Sequence, residues 1–214
     1  MEDIKLDPGG YAGTYDATAG RLCLDFANTI SNRLSDEPHE WLDTFSNLVA
    51  WGRLMGVLSD EVARSLLQEA AAQPEETGRI LKLAIELRET IYRIFSATAS
   101  GRPPAAADLD NLNVALVQAL PHLRIVPEAD AYAWNWAGEE DALDSVLWPV
   151  ARSAGDLLTS DELKRVGECQ GDGCGWLFLD MSRNRSRRWC DMGDCGNRAK
   201  ARRHYHRQKV SLST

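Results

Sequence analysis

The 214-residue chain carries 24 Lys and Arg against 32 Asp and Glu, a formal charge of −8, with 44% hydrophobic residues and five cysteines. That length supports one sizeable core plus a small satellite. No apolar run approaches the ~18 residues of a membrane span, and the opening residues lack the apolar core of a secretory signal, so the chain is expected in the reducing cytoplasm, away from membranes.

In chain order, residues 1–20 read as a glycine-rich extended lead-in. From 21 to 33, Leu22, Phe26 and Ile30 recur every four residues and Cys23, Leu24 and Ala27 fill the adjacent faces, which predicts a helix apolar on most sides and therefore central. Asp25 and Asn28 are polar groups on that helix and need partners. A second helix is expected over 40–55, with Leu42, Phe45, Leu48, Val49 and Gly52 on one face, and a third over 60–72, recapped by Ser59. Pro74 stands where a helix N-terminus tolerates proline. The longest helix follows over 75–98, its stripe running through Ile80, Ala84, Leu87, Ile91, Ile94 and Phe95. Arg88 lies in a second row beside apolar neighbours, and a guanidinium there needs a carboxylate or an anionic ligand. Asp25 is the expected partner, either as a structural pair or as the polar end of a ligand pocket.

GRPPAAAD is a loop, and 106–120 is another helix ending before Pro121. LRIVPE and AYAWNWAG read as a β-hairpin in which Tyr132, Trp134 and Trp136 line one face. Such a face is expected to cover a helix layer; the alternative makes Trp134 and Trp136 a wall of a ligand pocket with Asp25, Asn28 and Arg88. Residues 139–159 are the last helix of the body, and the short polar segment after it should hold the C-terminal part near the body without fixing it rigidly.

Four of the five cysteines then fall in two pairs, Cys169 with Cys174 and Cys190 with Cys195, each enclosing four residues, with fifteen between the pairs. Zinc in a closed structural site takes four soft ligands in a tetrahedron, and short spacings let one turn present two thiolates. The spacing therefore predicts one structural Zn2+ held by these four. Two disulfides, or His204 or His206 replacing one cysteine, are the alternatives. WLFLD and RSRRWC are expected to pair as a hairpin, with Trp176, Phe178 and Trp189 as a small core and Asp180 bracing the turn, and GNRAKARRHYHRQK should be helical. Knuckle, hairpin, knuckle and helix is the order of a treble-clef finger. A metal with four cysteines has no open position, and the chain has neither a P-loop nor a nucleophile elbow, so an enzyme is not expected.

The acidic balance is unevenly spread. Residues 181–214 hold ten Lys and Arg against two Asp, so they sum to +8 and leave −16 on residues 1–180. Segregation of this kind is the footprint of a nucleic-acid contact on a separate module; the alternative is a solvated basic tail. Lys200, Arg202, Arg203 and Arg207 are assigned mainly to phosphates and Asn197 and Arg198 to bases, Asn197 being equally suited to a capping role. Arg183, Asn184, Arg185, Arg187 and Arg188 extend the basic surface.

CGNRAKARRHYHR, preceded by FLDMSRNRSRRWC, resembles the bacterial CGNR-type zinc finger, including the tetrapeptide at 195–198, and LCLDFANT at 22–29 resembles the opening of the ABATE domain. The first cysteine pair is spaced more widely than in that finger, which makes its knuckle roomier. The resemblance implies an α+β, mostly α protein, with a helical domain over 1–160 containing one β-hairpin and a finger over 161–214. It implies a transcription regulator in which the finger binds DNA and the helical domain senses a small molecule. RNA binding, a protein-interaction role for the finger, and a two-fold homodimer are left open by the residues.

Overall fold

The computed structural model describes residues 17–138 and 142–212, with side chains through Arg203 and at Tyr205. Most of the expected lead-in, residues 139–141, and the side chains of His204, His206 and Arg207 lie outside the described residues; the helix expected over 139–159 starts only at Leu147, because residues 142–146 form turns closed by bonds three residues apart, Ser145 N–H to the Ala142 carbonyl and Leu147 N–H to the Asp144 carbonyl. In order the elements are α1 (Leu22–Ala27), β1 (Ile30–Ser31), β2 (His39–Glu40), α2 (Phe45–Leu54), α3 (Asp60–Ala72), α4 (Pro74–Ala99), α5 (Ala106–Ala119), β3 (Leu123–Glu128), β4 (Ala131–Trp136), α6 (Leu147–Leu158), β5 (Val166–Glu168), β6 (Leu177–Leu179) and α7 (Asn197–Leu212). The chain is mostly helical, and three antiparallel two-stranded sheets, β1 with β2, β3 with β4 and β5 with β6, complete it among the described residues. No helix among them is long and apolar enough to cross a membrane.

Helix α4 is the axis of the body. Pro74 at its first position presets the backbone, and Glu75 and Glu76 complement the partial positive charge of its N-terminus. Its predicted stripe is the face that buries, and α1, α2, α3, α5 and α6 pack around it. Helix α3 starts where Ser59 accepts a bond from the Val62 N–H at 3.1 Å, and Thr44 caps α2 in the same way from Asn47 at 3.2 Å. A Cβ on Gly52 would stand 2.6 Å from a Val146 methyl, so the glycine sets how closely α2 approaches that segment.

The first helix is shorter than expected. It stops at Ala27; the Thr29 hydroxyl donates back to the Phe26 carbonyl at 2.8 Å, and Ile30 and Ser31 enter a strand paired with Glu40 and His39. Asn28, Thr29 and Ile30 are poor helix formers, and bonds outside the helix decide their conformation. The second helix begins at Phe45 rather than 40 because Glu40 is drawn into β2, where its carboxylate accepts from the Trp41 and Leu42 N–H groups.

The polar side chains of the expected pocket separate. Arg88, 2% exposed, is held by Glu40 through two bonds of 2.5 and 2.7 Å and by Glu89 at 2.9 Å; Asp25 is not its partner. Asp25 instead accepts the Ala19 N–H at 2.9 Å. The β3–β4 hairpin forms as predicted, but its aromatic row meets the helix layer only at its base and through the Arg152 guanidinium of α6, which lies over the Trp134 ring. Only Trp136 packs against the core, 6.0 Å from Trp148, while Tyr132 and Trp134 are exposed.

The short segment after α6 fixes the C-terminal part firmly. It forms a 3-10 turn (Asp161–Arg165) and runs into β5, and the strand beside β5 faces two cores at once. Leu177 and Leu179 of β6 enter the body's hydrophobic core, and Phe178 between them enters the cysteine cluster. The period of two along a strand makes that division.

Candidate zinc centre and nucleic-acid interface

The first cysteine pair lies in the loop of the β5–β6 hairpin. Val166, Gly167 and Glu168 pair with Leu179, Phe178 and Leu177, so WLFLD takes its partner from before the knuckle, and RSRRWC is not its strand. Gly167 is required there, since a Cβ would meet the Phe178 ring at 2.8 Å. The knuckle turns through Gly173 and Gly175, both with φ near +70°, which residues with side chains rarely adopt. Asp180 then accepts from the Ser182 and Arg187 N–H groups, each at 2.8 Å, and so shapes the irregular segment that leads to Cys190. Those bonds hold its carboxyl below the usual range even though burial opposes them.

The Sγ atoms of Cys169, Cys174, Cys190 and Cys195 all lie within 4.8 Å of one another, and every residue of the set is buried. A tetrahedron with Zn–S of about 2.3 Å has edges of about 3.8 Å. The Cys174–Cys190 and Cys190–Cys195 separations are both 3.7 Å. All five cysteines are free thiols, so the disulfide alternative fails, and the set is complete without a histidine. The donors also fit a cation chemically. Crowding divides the thiols: Cys169 is pulled far down by bonds from Cys174 and Cys190, and these two are pushed up by donating to it. A divalent ion resolves that conflict, because each sulfur ionises against the metal. The Gly171 N–H donates to the Cys169 sulfur at 3.3 Å and Arg198 Nη2 to the Cys195 sulfur at 3.1 Å, bonds that favour thiolate. A Cβ on Gly171 would stand 2.8 Å from the Cys195 sulfur. These residues would hold one structural zinc.

Helix α7 continues directly from a π-type turn, Met192–Gly196, whose cap is Asp191, accepting the Asp194 N–H at 2.8 Å. The helical run therefore opens before Asn197. The Asn197 N–H is taken by the Asp194 carbonyl and its side-chain amide by the Gly193 carbonyl at 2.9 Å, so it serves the turn. Arg198 pairs with Asp194 at 3.0 Å and Arg202 with Asp172 at 2.6 Å, each about half exposed. Lys200 and Arg203 are exposed. Arg188 reaches across from the other side, bonded to Gln170 at 2.7 Å and lying over the Trp189 ring. Arg188, Arg198, Arg202 and Arg203 line a cavity of about 270 Å³ together with Gly171, Trp189, Cys195 and one carboxylate, Asp172. The segment tip presents Arg183, Asn184 and Arg185 to solvent.

Arg187 is a correction to the predicted surface. It turns inward over the Phe178 ring and donates to the carbonyls of Trp189, Leu179, Thr18 and Cys190. It ties the finger to the body's first residues and is not placed for a ligand.

A second set of contacts, those joining the body to the finger, escaped the sequence reading. The Asn28 amide donates to the Leu177 carbonyl at 2.9 Å and accepts the Leu177 N–H at 2.8 Å, so one side chain acts as a strand neighbour to β6. The Trp176 indole donates to the Ile30 carbonyl at 2.8 Å, and the Arg33 and Leu34 N–H groups donate to the Cys174 and Gly173 carbonyls. From α4, Tyr92 and Ser96 bond the two oxygens of Glu168, next to the first zinc ligand. The body also contains a cavity of about 440 Å³ between α4, α5 and α6, lined by Leu87, Thr90, Val114, Leu147 and Trp148 with Glu86, Glu89 and Asp144 among its polar groups. None of Asp25, Asn28, Arg88, Trp134 or Trp136 lines it.

A family profile described as "Putative stress-induced transcription regulator", ABATE, matches residues 20–161, and the CGNR zinc finger profile matches 165–208. The chain belongs to the ABATE family and carries a CGNR zinc finger. No curated protein matches it. The CGNR tetrapeptide gains a physical reading here: Cys195 is a metal ligand, Gly196 is buried in the turn, Asn197 closes that turn, and Arg198 faces both the sulfur and the basic cavity. In the ABATE segment LCLDFANT, Asn28 is the residue that fastens the finger.

Proposed function

We propose that this ABATE protein is a transcription regulator that binds DNA through its zinc-organised basic cavity. The observation that carries the reading is the convergence of Arg188, Arg198, Arg202 and Arg203 beside Cys195, in a chain whose residues 181–214 sum to +8 and residues 1–180 to −16. Arginines on a metal-fixed frame offer bidentate donors to phosphate, and the acidic body repels the polyanion and confines contact to the finger. The reading is non-catalytic, because a metal ligated by four thiolates has no open position for substrate. A sensing role for the body is supported by the cavity between α4, α5 and α6, whose size suits a small effector.

Fluorescence anisotropy of the zinc-loaded protein on duplexes selected from genomic DNA tests the reading. Four phosphate contacts predict that log K falls against log salt with a slope of about −3 to −4, and Arg202→Ala with Arg203→Ala flattens that slope by about 2 while zinc content stays unchanged. Salt-independent affinity overturns the proposal. Tighter binding of structured RNA than of any selected duplex would transfer it to RNA.

A further inference from the structure

Helices α4, α5 and α6 leave a groove of about 440 Å³ between them, a size typical of small-molecule sites. Its walls come from one face of each helix: Leu83 and Leu87 from α4, Val114 and Gln118 from α5, Trp148 and Ala151 from α6. Val114 is 59% exposed, so the groove opens to solvent on the α5 side. Four charged side chains border it, Glu86, Glu89, Asp144 and Arg93. Two of them are neutralised by neighbours, Arg93 by Asp108 at 2.7 Å and Glu89 by Arg33 and Arg88. Glu86 meets only Lys82, at 3.9 Å across an exposed helix turn, which is a weak pair. Asp144 forms no ion pair among the described residues. It is half-buried, and the Trp148 indole donates to it at 3.1 Å, with the indole ring stacked on His122 at 3.8 Å. A carboxylate is thereby fixed on the wall of a largely apolar groove without a cation beside it.

We propose that this groove binds a small organic cation with an apolar body, its ammonium against Asp144 with Glu86 at the rim, and its body on Leu83, Leu87, Val114 and Trp148. The inference rests on the reading of the body as a sensor and gives that sensor its ligand class. Charge complementarity decides the class. With Arg93 and Glu89 neutralised, the groove keeps two carboxylates, and residues 1–180, at −16, add a field that attracts cations and repels anions. Two carboxylates offer too few oxygens to replace the shell of a divalent metal ion. An ammonium needs only one charge-assisted hydrogen bond, and its apolar body gains from the wall that a metal ion cannot use.

Isothermal titration calorimetry of the full-length, zinc-loaded protein with naphthylmethylamine, naphthylmethanol and naphthoate tests the inference, since one aromatic body then carries an ammonium, a hydroxyl or a carboxylate. The amine should bind with a dissociation constant below about 1 mM and at least about tenfold more tightly than the alcohol, and naphthoate should give no measurable heat. Asp144→Asn keeps an acceptor for the Trp148 indole and should weaken the amine about tenfold while leaving the alcohol unchanged. Glu86→Gln, at the exposed rim, should weaken it about twofold. Val114→Lys sets a cation in the mouth of the groove and should abolish amine binding, with circular dichroism and zinc content unchanged. Equal affinity for amine and alcohol overturns the inference. So does amine binding indifferent to Asp144→Asn and Val114→Lys, or no amine binding at about 10 mM, well above the expected constant. The sensor reading is judged separately, by anisotropy on DNA with and without the amine: a head-dependent amine that leaves DNA affinity unmoved keeps the site and removes the sensing role from the body, whereas a shift in DNA affinity supports both.

Discussion

The body and the finger are stabilised by different physics, and the strand they share shows where one gives way to the other. The body encloses a continuous apolar core that reaches from Ala19 to Leu179, and its stability follows from the surface removed from water. Among the described residues the finger has only Phe178, with Trp176 and Trp189 partly buried, around four sulfurs. So small a cluster cannot offset the entropy of ordering some forty residues, and the metal must supply the difference. The finger is also basic where the body is acidic, so the element that depends on the metal is the one that carries the arginines.

The largest effect should come from breaking that dependence. Cys190→Ser, or a strong chelator, removes a metal contribution of about 10–16 kcal/mol in apparent free energy. The expected outcome by hydrogen exchange is loss of protection at Leu177 and through the segment ending at Gly196, while α4 amides stay protected. Protection that survives in a zinc-free Cys190→Ser chain would show that the finger folds on its apolar contacts, and the contrast between the regions would be lost.

Next in size is the buried charge of the body. Glu40→Ala leaves the Arg88 guanidinium with Glu89 and the Thr29 carbonyl and takes the acceptor from the Leu42 N–H, while the Trp41 N–H keeps the Thr29 carbonyl at 3.2 Å. Removing one partner of a buried pair leaves an uncompensated charge, and the expected loss is about 3 kcal/mol in denaturant unfolding of the body. Zinc content should not change, because the pair lies in the body. An equal loss of zinc would mean that the two regions unfold as one.

How much of this was legible beforehand differs between the regions for the same physical reasons. Helices α3 and α4 were readable nearly to the residue because local signals set them, Ser59 as a cap and Pro74 at a first turn. The zinc ligands were readable because thiolate chemistry tolerates few spacings. The partner of β6 was not, since Val166–Glu168 is too short to show alternation and its pairing is decided across the knuckle. Arg88 was correctly expected to need a carboxylate, but which one depends on β2, a strand of two residues with no pattern to announce it. Arg187 shares its composition with the arginines around it, and only the ring of Phe178 and four carbonyls distinguish its role. The aromatic face of β4 followed from alternation; whether anything covers it does not, because period two says which residues share a face and not what lies opposite.

A sharper test concerns the joint. Asn28→Ala leaves the Leu177 N–H and carbonyl without their partner in a buried site, at an expected cost of about 2 kcal/mol. Exchange at Leu177 should accelerate more than at any amide of α4. Asn28→Asp should be worse than a simple loss, because its carboxylate still accepts the N–H but sets a buried negative charge against the Leu177 carbonyl oxygen. If both variants leave Leu177 protected, the zinc knuckle alone positions β6 and Asn28 is dispensable.

The smallest effect is one of pH and belongs to the body. Asp25 is 9% exposed, and burial pushes its carboxyl up from 3.8 to about 6 despite bonds from the Ala19 and Thr18 N–H groups. Between those values the folded chain binds more protons than the unfolded one, so this group's contribution to stability falls as pH rises; the penalty is absent below the lower value and complete above the upper. Asp25→Asn keeps an acceptor for Ala19 and removes the titration. The stability of Asp25→Asn relative to wild type should therefore increase by about 1 kcal/mol from about pH 5 to about pH 7. Taking the difference between two zinc-loaded chains cancels the response of the thiolates, which runs in the opposite direction because acid competes with the metal for sulfur. A difference that is flat across this range would mean that Asp25 ionises as it does in water, and that the body near Ala19 is far wetter than its packing indicates.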